Sequence, residues 1–184
     1  MSFTIKKSFI TGCFEIEFTR LTDERGYFTK TFNVELFKEA GIKMEFAEEY
    51  FTYSCKNVFR GLHFQLPPMD LDKIVYCIDG KVNDYVIDLR VGSPSYGKHV
   101  CFELNGDNPK AIFIPTGLAH GFHVLSDSAL MQYKVSSIFD KDCDTGISYL
   151  SFPFSKEIYD PIISERDQKF VTLEKFNSPF IFKG

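Results

Sequence analysis

The rhythm of its turns constrains this sequence more than any other feature. Residues 44–53, 58–65, 73–78, 81–89, 99–104, 111–114, 121–125 and 130–138 are short runs rich in β-branched and aromatic side chains, most of them ended by Gly, Pro, Asn, Asp or Ser. Strands interrupted about every 8–12 residues build a sandwich or barrel, not an alternating α/β sheet. Phe14–Phe18 alternates Phe-Glu-Ile-Glu-Phe, a half-buried strand suited to an exposed edge, and residues 27–32 alternate less cleanly. Asp79-Gly80 and Asn105-Gly106 predict hairpins, because these residues tolerate the positive φ of tight turns. One helix is expected over 33–41, with Asn33 as N-cap and Gly41 as its stop. Ser164-Glu-Arg-Asp167 reads as a second helix start capped by Ser164. With no repeat and no low-complexity tract, the 184 residues predict a single domain, 1–184, in which 155–184 is a helical extension packed on the barrel.

Charge narrows the partners. Lys and Arg number 21 against 25 Asp and Glu, a net charge of -4, which argues against nucleic-acid binding by bulk charge. Twenty-one Phe and nine Tyr, with no Trp, suit a packed core or an apolar-walled cavity. Lys6, Lys7, Glu15 and Glu17 break up the N-terminal segment, so neither a signal-peptide core nor a membrane span is expected. Five cysteines, odd in number and without C-x-x-C spacing, fit a reducing cytoplasm.

The chemistry concentrates in two stretches. Arg60-Gly-Leu-His63-Phe-Gln65 places an Arg and a His three apart on one strand, on opposite faces unless Gly61 supplies a bulge that re-aims one of them. Lys73 follows at the start of a very apolar run. Pro115-x-Gly117-x-x-His120 sets a His at a strand entry after a tight turn. That spacing resembles the second motif of cupins, so the expected fold is mainly β: a cupin double-stranded β-helix, or jelly-roll barrel, with short peripheral helices. A metal-binding cupin would carry H-x-H in its first motif. Gln65 stands at the second of those positions and is a poor ligand, so no metal is expected. His99 and His123 read as packing or surface residues, and Arg90 as a residue that holds the fold.

A wider resemblance then becomes specific. Arg25-Gly-Tyr-Phe28, Phe59-Arg-Gly-Leu-His-Phe-Gln65, Asp84-x-x-x-Asp88-Leu-Arg90, Ser93-Pro-Ser-Tyr-Gly97, Ile114-Pro-x-Gly-x-Ala-His-Gly-Phe122 and Tyr133-Lys134 occur in order. From about residue 10 to 170 the chain resembles the nucleotide-diphosphate 4-keto-sugar 3,5-epimerases, the dTDP-4-dehydrorhamnose 3,5-epimerase family. The resemblance implies an isomerase without cofactor. A ketone at C4 acidifies the hydrogens at C3 and C5; a base removes one and an acid reprotonates the carbon from the other face. His63 resembles the base, a role that suits neutral imidazole. Asp167 resembles the carboxylate that orients it, although Ser164-x-x-Asp167 is also close to a capping box. Lys73 resembles the cation beside the developing oxyanion, and Tyr133 the acid on the opposite face. Arg60 with Arg25 resembles the diphosphate clamp. The resemblance puts His120 in the same pocket, near the keto oxygen or the phosphates, with Asp84 holding His120 or Lys73. It also implies a homodimer.

The sequence departs from the family pattern at the nucleotide end. Lys30 stands where a Glu is usual, Glu48 where a Gln is, Tyr50 where an Asn is, and Ile138-Phe139 where a base-stacking Tyr falls; the usual Trp-Pro is replaced within Ser151-Phe-Pro-Phe154. Glu48 could accept both donors of guanine's Watson–Crick edge. The substrate expected first is therefore a GDP-linked 4-keto hexose or heptose of a surface polysaccharide (capsule or lipopolysaccharide), contacted by Arg25, Arg60, His120, Asp84, Gln65, Glu48 and Lys30. The dTDP-linked sugar of rhamnose synthesis is the alternative. A 3,4-ketoisomerase on the same barrel is a rival that Gln65 argues against, and a non-catalytic sugar-binding cupin is the rival from another class. The sequence leaves inversion at C3 alone, or at C3 and C5, open.

Overall fold

A computed structural model describes residues 3–42 and 45–184. Among these residues, thirteen strands form two large antiparallel sheets and a small ribbon. The six-stranded sheet runs β1 (Phe3–Lys7), β2 (Phe14–Phe18), β10 (Lys110–Ile114), β7 (Lys73–Asp79), β12 (Ser128–Val135), β5 (Glu48–Cys55). The five-stranded sheet runs β13 (Asp144–Gly146), β6 (Phe59–Gln65), β11 (Leu118–Val124), β8 (Lys81–Asp88), β9 (His99–Asn105). Among the described residues, β3 (Arg20–Asp23) and β4 (Gly26–Thr29) pair only with each other. Val75, Ile112 and Met131 from one sheet pack against Val86, Leu104 and Phe122 from the other, and this shared apolar layer joins the sheets as a jelly roll.

The strongest local signals are realised. Asn33 is extended and its side chain accepts from the N–H groups of Glu35 and Leu36, opening α1 (Val34–Glu39). The helix ends in paired bonds from Gly41 N–H to Lys38 O and from Ile42 N–H to Phe37 O, the glycine-stop pattern. Arg90 does hold the fold: its backbone N–H and guanidinium bond the carboxylate of fully buried Asp88, which Ser93 and Ser95 also bond.

Four expectations need correction. Asp79-Gly80 and Asn105-Gly106 are not hairpins: β7 and β8, like β9 and β10, lie in different sheets, so both turns are corners where the chain crosses the sandwich. Gly80 (φ +82°) packs so close that a Cβ there would sit 2.0 Å from the Ser128 carbonyl oxygen. Turn chemistry is local, whereas the choice of strand partner depends on distant residues. Second, β2 is not an edge strand, since β1 and β10 flank it and bury Ile16 and Phe18. Third, the strand expected over 44–53 spans Glu48–Cys55, with Met44 outside the described residues. Fourth, the helix start at Ser164 opens only a 3-10 turn, Asp167–Lys169, one of four such short turns beyond residue 148.

Candidate active site

The sheets enclose a cavity of about 480 Å³ with walls from both. The five-stranded sheet supplies Arg60, His63 and Gln65 from β6 and His120 from β11. The six-stranded sheet supplies Lys73 from β7, Tyr133 from β12, and Glu48, Tyr50 and Thr52 from β5. Phe139, Asp144 and Arg166 add to the lining.

Arg60 and His63 reach the same cavity because β6 bulges. Against β11, His63 pairs with His120 and Arg60 with Phe122, so Gly61 and Leu62 together oppose the single residue Gly121. Gly61 (φ +128°) is obligatory there: a Cβ would lie 2.6 Å from Gly121 Cα and 2.9 Å from the His120 carbonyl oxygen.

The paired strands β6 and β11 set His63 opposite His120, and each histidine meets an aspartate. His63 Nε2 lies 2.9 Å from Asp167 Oδ1, and Asp167 Oδ2 accepts the Gly61 N–H at 3.0 Å. The Ser164 hydroxyl accepts the Asp167 N–H at 3.1 Å and so ties the start of the turn to the preceding loop, while the Asp167 carboxylate remains bonded to the imidazole and to Gly61. His120 Nε2 lies 2.8 Å from Asp84 Oδ2, behind the cavity wall, and Asp84 Oδ1 has no hydrogen-bond partner among the described residues. Lys73, buried, donates from Nζ to the His63 carbonyl oxygen at 3.2 Å. The ring of Tyr133 stacks on Tyr50 and meets His120 edge-on.

Burial sets the protonation states. It lowers the His63 pKa against the opposing pull of Asp167, keeping the ring neutral at pH 7. A neutral ring whose Nε2–H points at a carboxylate has its lone pair on Nδ1. Burial would raise Asp167, but its bonds from His63 and Gly61 prevail and hold it below the ordinary carboxylate value. Burial drops Lys73 to about 8, opposed by Asp144 and Asp84. Burial also raises Tyr133, which keeps its proton throughout the neutral range.

The remaining expected contacts divide. Gln65 lines the cavity, but its amide is committed to backbone, donating to Met69 O and Ile138 O and accepting the Asp140 N–H, so it braces two loops. Glu48 also lines the cavity, and one of its carboxylate oxygens takes the Phe139 N–H at 2.8 Å. Arg25 and Lys30 are not brought to the cavity: Arg25 sits exposed at the tip of the β3–β4 ribbon, paired with Asp23, and Lys30 lies beside Phe32 and Phe37. His123 bonds Asn57 and His99 packs on Phe154, away from the site. Sequence reasoning missed Asp144 and Arg166, joined at 2.7 Å in the cavity wall. A cation directly preceding Asp167 was the available signal for Arg166.

Comparison with known proteins identifies the family. Residues 7–175 match the family model described as dTDP-4-dehydrorhamnose 3,5-epimerase. A protein of that name from Shigella flexneri is 41% identical over 160 residues, covering 84% of this chain and 88% of its own. One from Methanothermobacter thermautotrophicus is 36% identical over 179 residues, covering 94% and 96%. The crystal structure of a Legionella pneumophila dTDP-6-deoxy-D-glucose-3,5-epimerase in complex with dTDP-4-keto-L-rhamnose superposes with a TM-score of 0.91 at 30% identity, covering all of both chains. These names carry dTDP, which favours the dTDP alternative and does not support the GDP reading; the bond from Phe139 also occupies part of the Glu48 carboxylate that suggested guanine. The chain belongs to the dTDP-4-dehydrorhamnose 3,5-epimerase family.

Proposed function

We propose that the protein inverts C3 and C5 of a dTDP-linked 4-keto-6-deoxy hexose, in the supply of rhamnose for surface polysaccharide. The observation that carries this reading is the His63–Asp167 pair at 2.9 Å in a cavity that Lys73 and Tyr133 also line from the facing sheet. Neutral His63 takes the proton from the carbon next to the C4 ketone, and Asp167 fixes the tautomer and stabilises the imidazolium that forms. The electrons pass to the C4 oxygen, where cationic Lys73 offsets the developing negative charge. Tyr133 returns a proton from the opposite face, and the cycle closes as its phenolate regains a proton from solvent and the His63 imidazolium releases one. The His120–Asp84 pair orients the keto group beside Lys73.

Arg60 binds the diphosphate. Its guanidinium is positioned by Ser54 Oγ and Tyr53 O, which leaves Nη1 for phosphate. Arg25 is remote from its own cavity, on a ribbon that exposes Leu21, Tyr27 and Phe28. In a homodimer that ribbon reaches the partner's site, which is how Arg25 completes the clamp.

Incubation in D₂O with the dTDP-4-keto-6-deoxy sugar tests the chemistry. Deuterium should enter at C3 and C5, and His63→Ala should abolish it. Entry at C3 alone would restrict the activity to 3-epimerisation, and no entry with the wild-type protein would remove the reading. Calorimetric titration tests the nucleotide: dTDP should bind more tightly than GDP. A monomer in sedimentation at micromolar concentration would count against the shared clamp.

A further inference from the structure

Tyr50 stands on the edge strand β5, directly opposite Tyr133 of β12. The two rings stack with centroids 4.8 Å apart and planes at 15°. The other cross-strand partner of Tyr133 is Val75 on β7, which has no ring to stack. Among the described residues, Tyr133 makes one further ring contact, with His120, edge-on with centroids at 6.1 Å. One edge of the Tyr133 ring packs into the apolar core, and Tyr50 is the aromatic ring stacked on its face.

We infer that Tyr50 is a positioning residue for proton return, fixing the plane of the Tyr133 phenol; this rests on the function proposed above. Rotation of a tyrosine about χ2 leaves its oxygen in place but turns the plane in which the phenolic O–H prefers to lie, and that torsion is intrinsically broad. A donor must point its proton at a carbon only about 3–3.5 Å away, and small misplacements are costly. Stacking narrows the torsion.

The test separates the two proton transfers. In D₂O, abstraction by His63 followed by return from the same face exchanges the hydrogen without inverting the carbon, whereas inversion needs Tyr133. Tyr50→Leu should reduce inversion roughly ten- to a hundredfold while exchange with retention falls less than about threefold, so their ratio shifts. Tyr50→Phe keeps the ring and should restore the wild-type ratio. Tyr50 is 42% exposed, so neither change strains the core. An unchanged ratio in Tyr50→Leu, or an equal fall of both processes, would overturn the inference while leaving the proposed function intact. Absence of any exchange in the wild-type protein would overturn both.

Discussion

Replacing Asp167 by Asn isolates what its carboxylate does. Each oxygen accepts one bond: Oδ1 from His63 Nε2 at 2.9 Å and Oδ2 from Gly61 N–H at 3.0 Å. An amide has one acceptor oxygen, so the substituted side chain can serve only one of these donors. If the Gly61 bond is kept, the NH₂ group faces His63 and forces the proton onto Nδ1, the nitrogen that needs a free lone pair. Loss of the right tautomer should lower kcat by about 10²–10⁴-fold, or about 2.7–5.4 kcal/mol of barrier. Losing one charge-assisted bond in a residue only 6% exposed should cost about 1.5–3 kcal/mol of stability. At roughly 2–4 °C per kcal/mol for a chain of this size, the melting temperature drops by about 3–12 °C. Residual activity should also move along the pH axis. His63 must be neutral to act, so the rate fails as pH falls through its pKa, already below 6.5. Without the carboxylate, burial acts unopposed and this acid limb shifts lower still. The assays are steady-state kinetics across the acid, neutral and mildly alkaline range and a thermal melt. A folded variant with kcat within about tenfold of wild type would refute the argument and leave Asp167 as part of the turn alone.

Lys73 sets the alkaline limb. Its cationic form is lost as pH rises through about 8, so kcat should decline above that value, and Lys73→Met should erase the limb while lowering kcat about 10²–10³-fold. Gly61→Ala forces a side chain into positive φ and against the β11 backbone, and should cost about 2–5 kcal/mol in chemical denaturation together with most of the activity. Arg90→Ala strands the buried Asp88 carboxylate and should cost about 3–5 kcal/mol in the same assay. Burial alone would raise the Asp88 pKa, but the bonds from Arg90 and Ser93 outweigh it and hold the native value down. Asp88 therefore contributes stability above its unfolded value of 3.8 that is lost as pH falls through the native one, and the variant should show a smaller acid-side loss.

Legibility in the sequence followed the range of the interaction. The α1 caps and the alternation in β2 depend on neighbours a few residues away, and they could be read directly. Asp79-Gly80 and Asn105-Gly106 marked the turns correctly but not the sheets they join, because pairing is decided by residues far along the chain. The motifs around His63, Lys73, His120 and Tyr133 pointed to one cavity, and the structure brings all four there. Arg25 and Lys30 came with the same resemblance, yet lie outside that cavity. Glu48 was noticed for its acceptors, but its bond to Phe139 depends on a loop 91 residues later. Asp144 and Arg166 escaped notice because each is an ordinary surface residue type, and only the fold places them in the wall.

The shared apolar layer also acts as a spacer. On the assignment proposed above, the base hangs from one sheet and the proton donor from the other, so the thickness of the filling between them sets how far apart the two act. Val75, Ile112 and Met131 meet Val86 and Phe122 in that filling. Trimming a methylene there would act as a shim removed from a vice: the pocket's own side chains stay unchanged while the gap they span alters. Rate changes caused by substitutions in the interior can then be read as a ruler of the distance between the jaws.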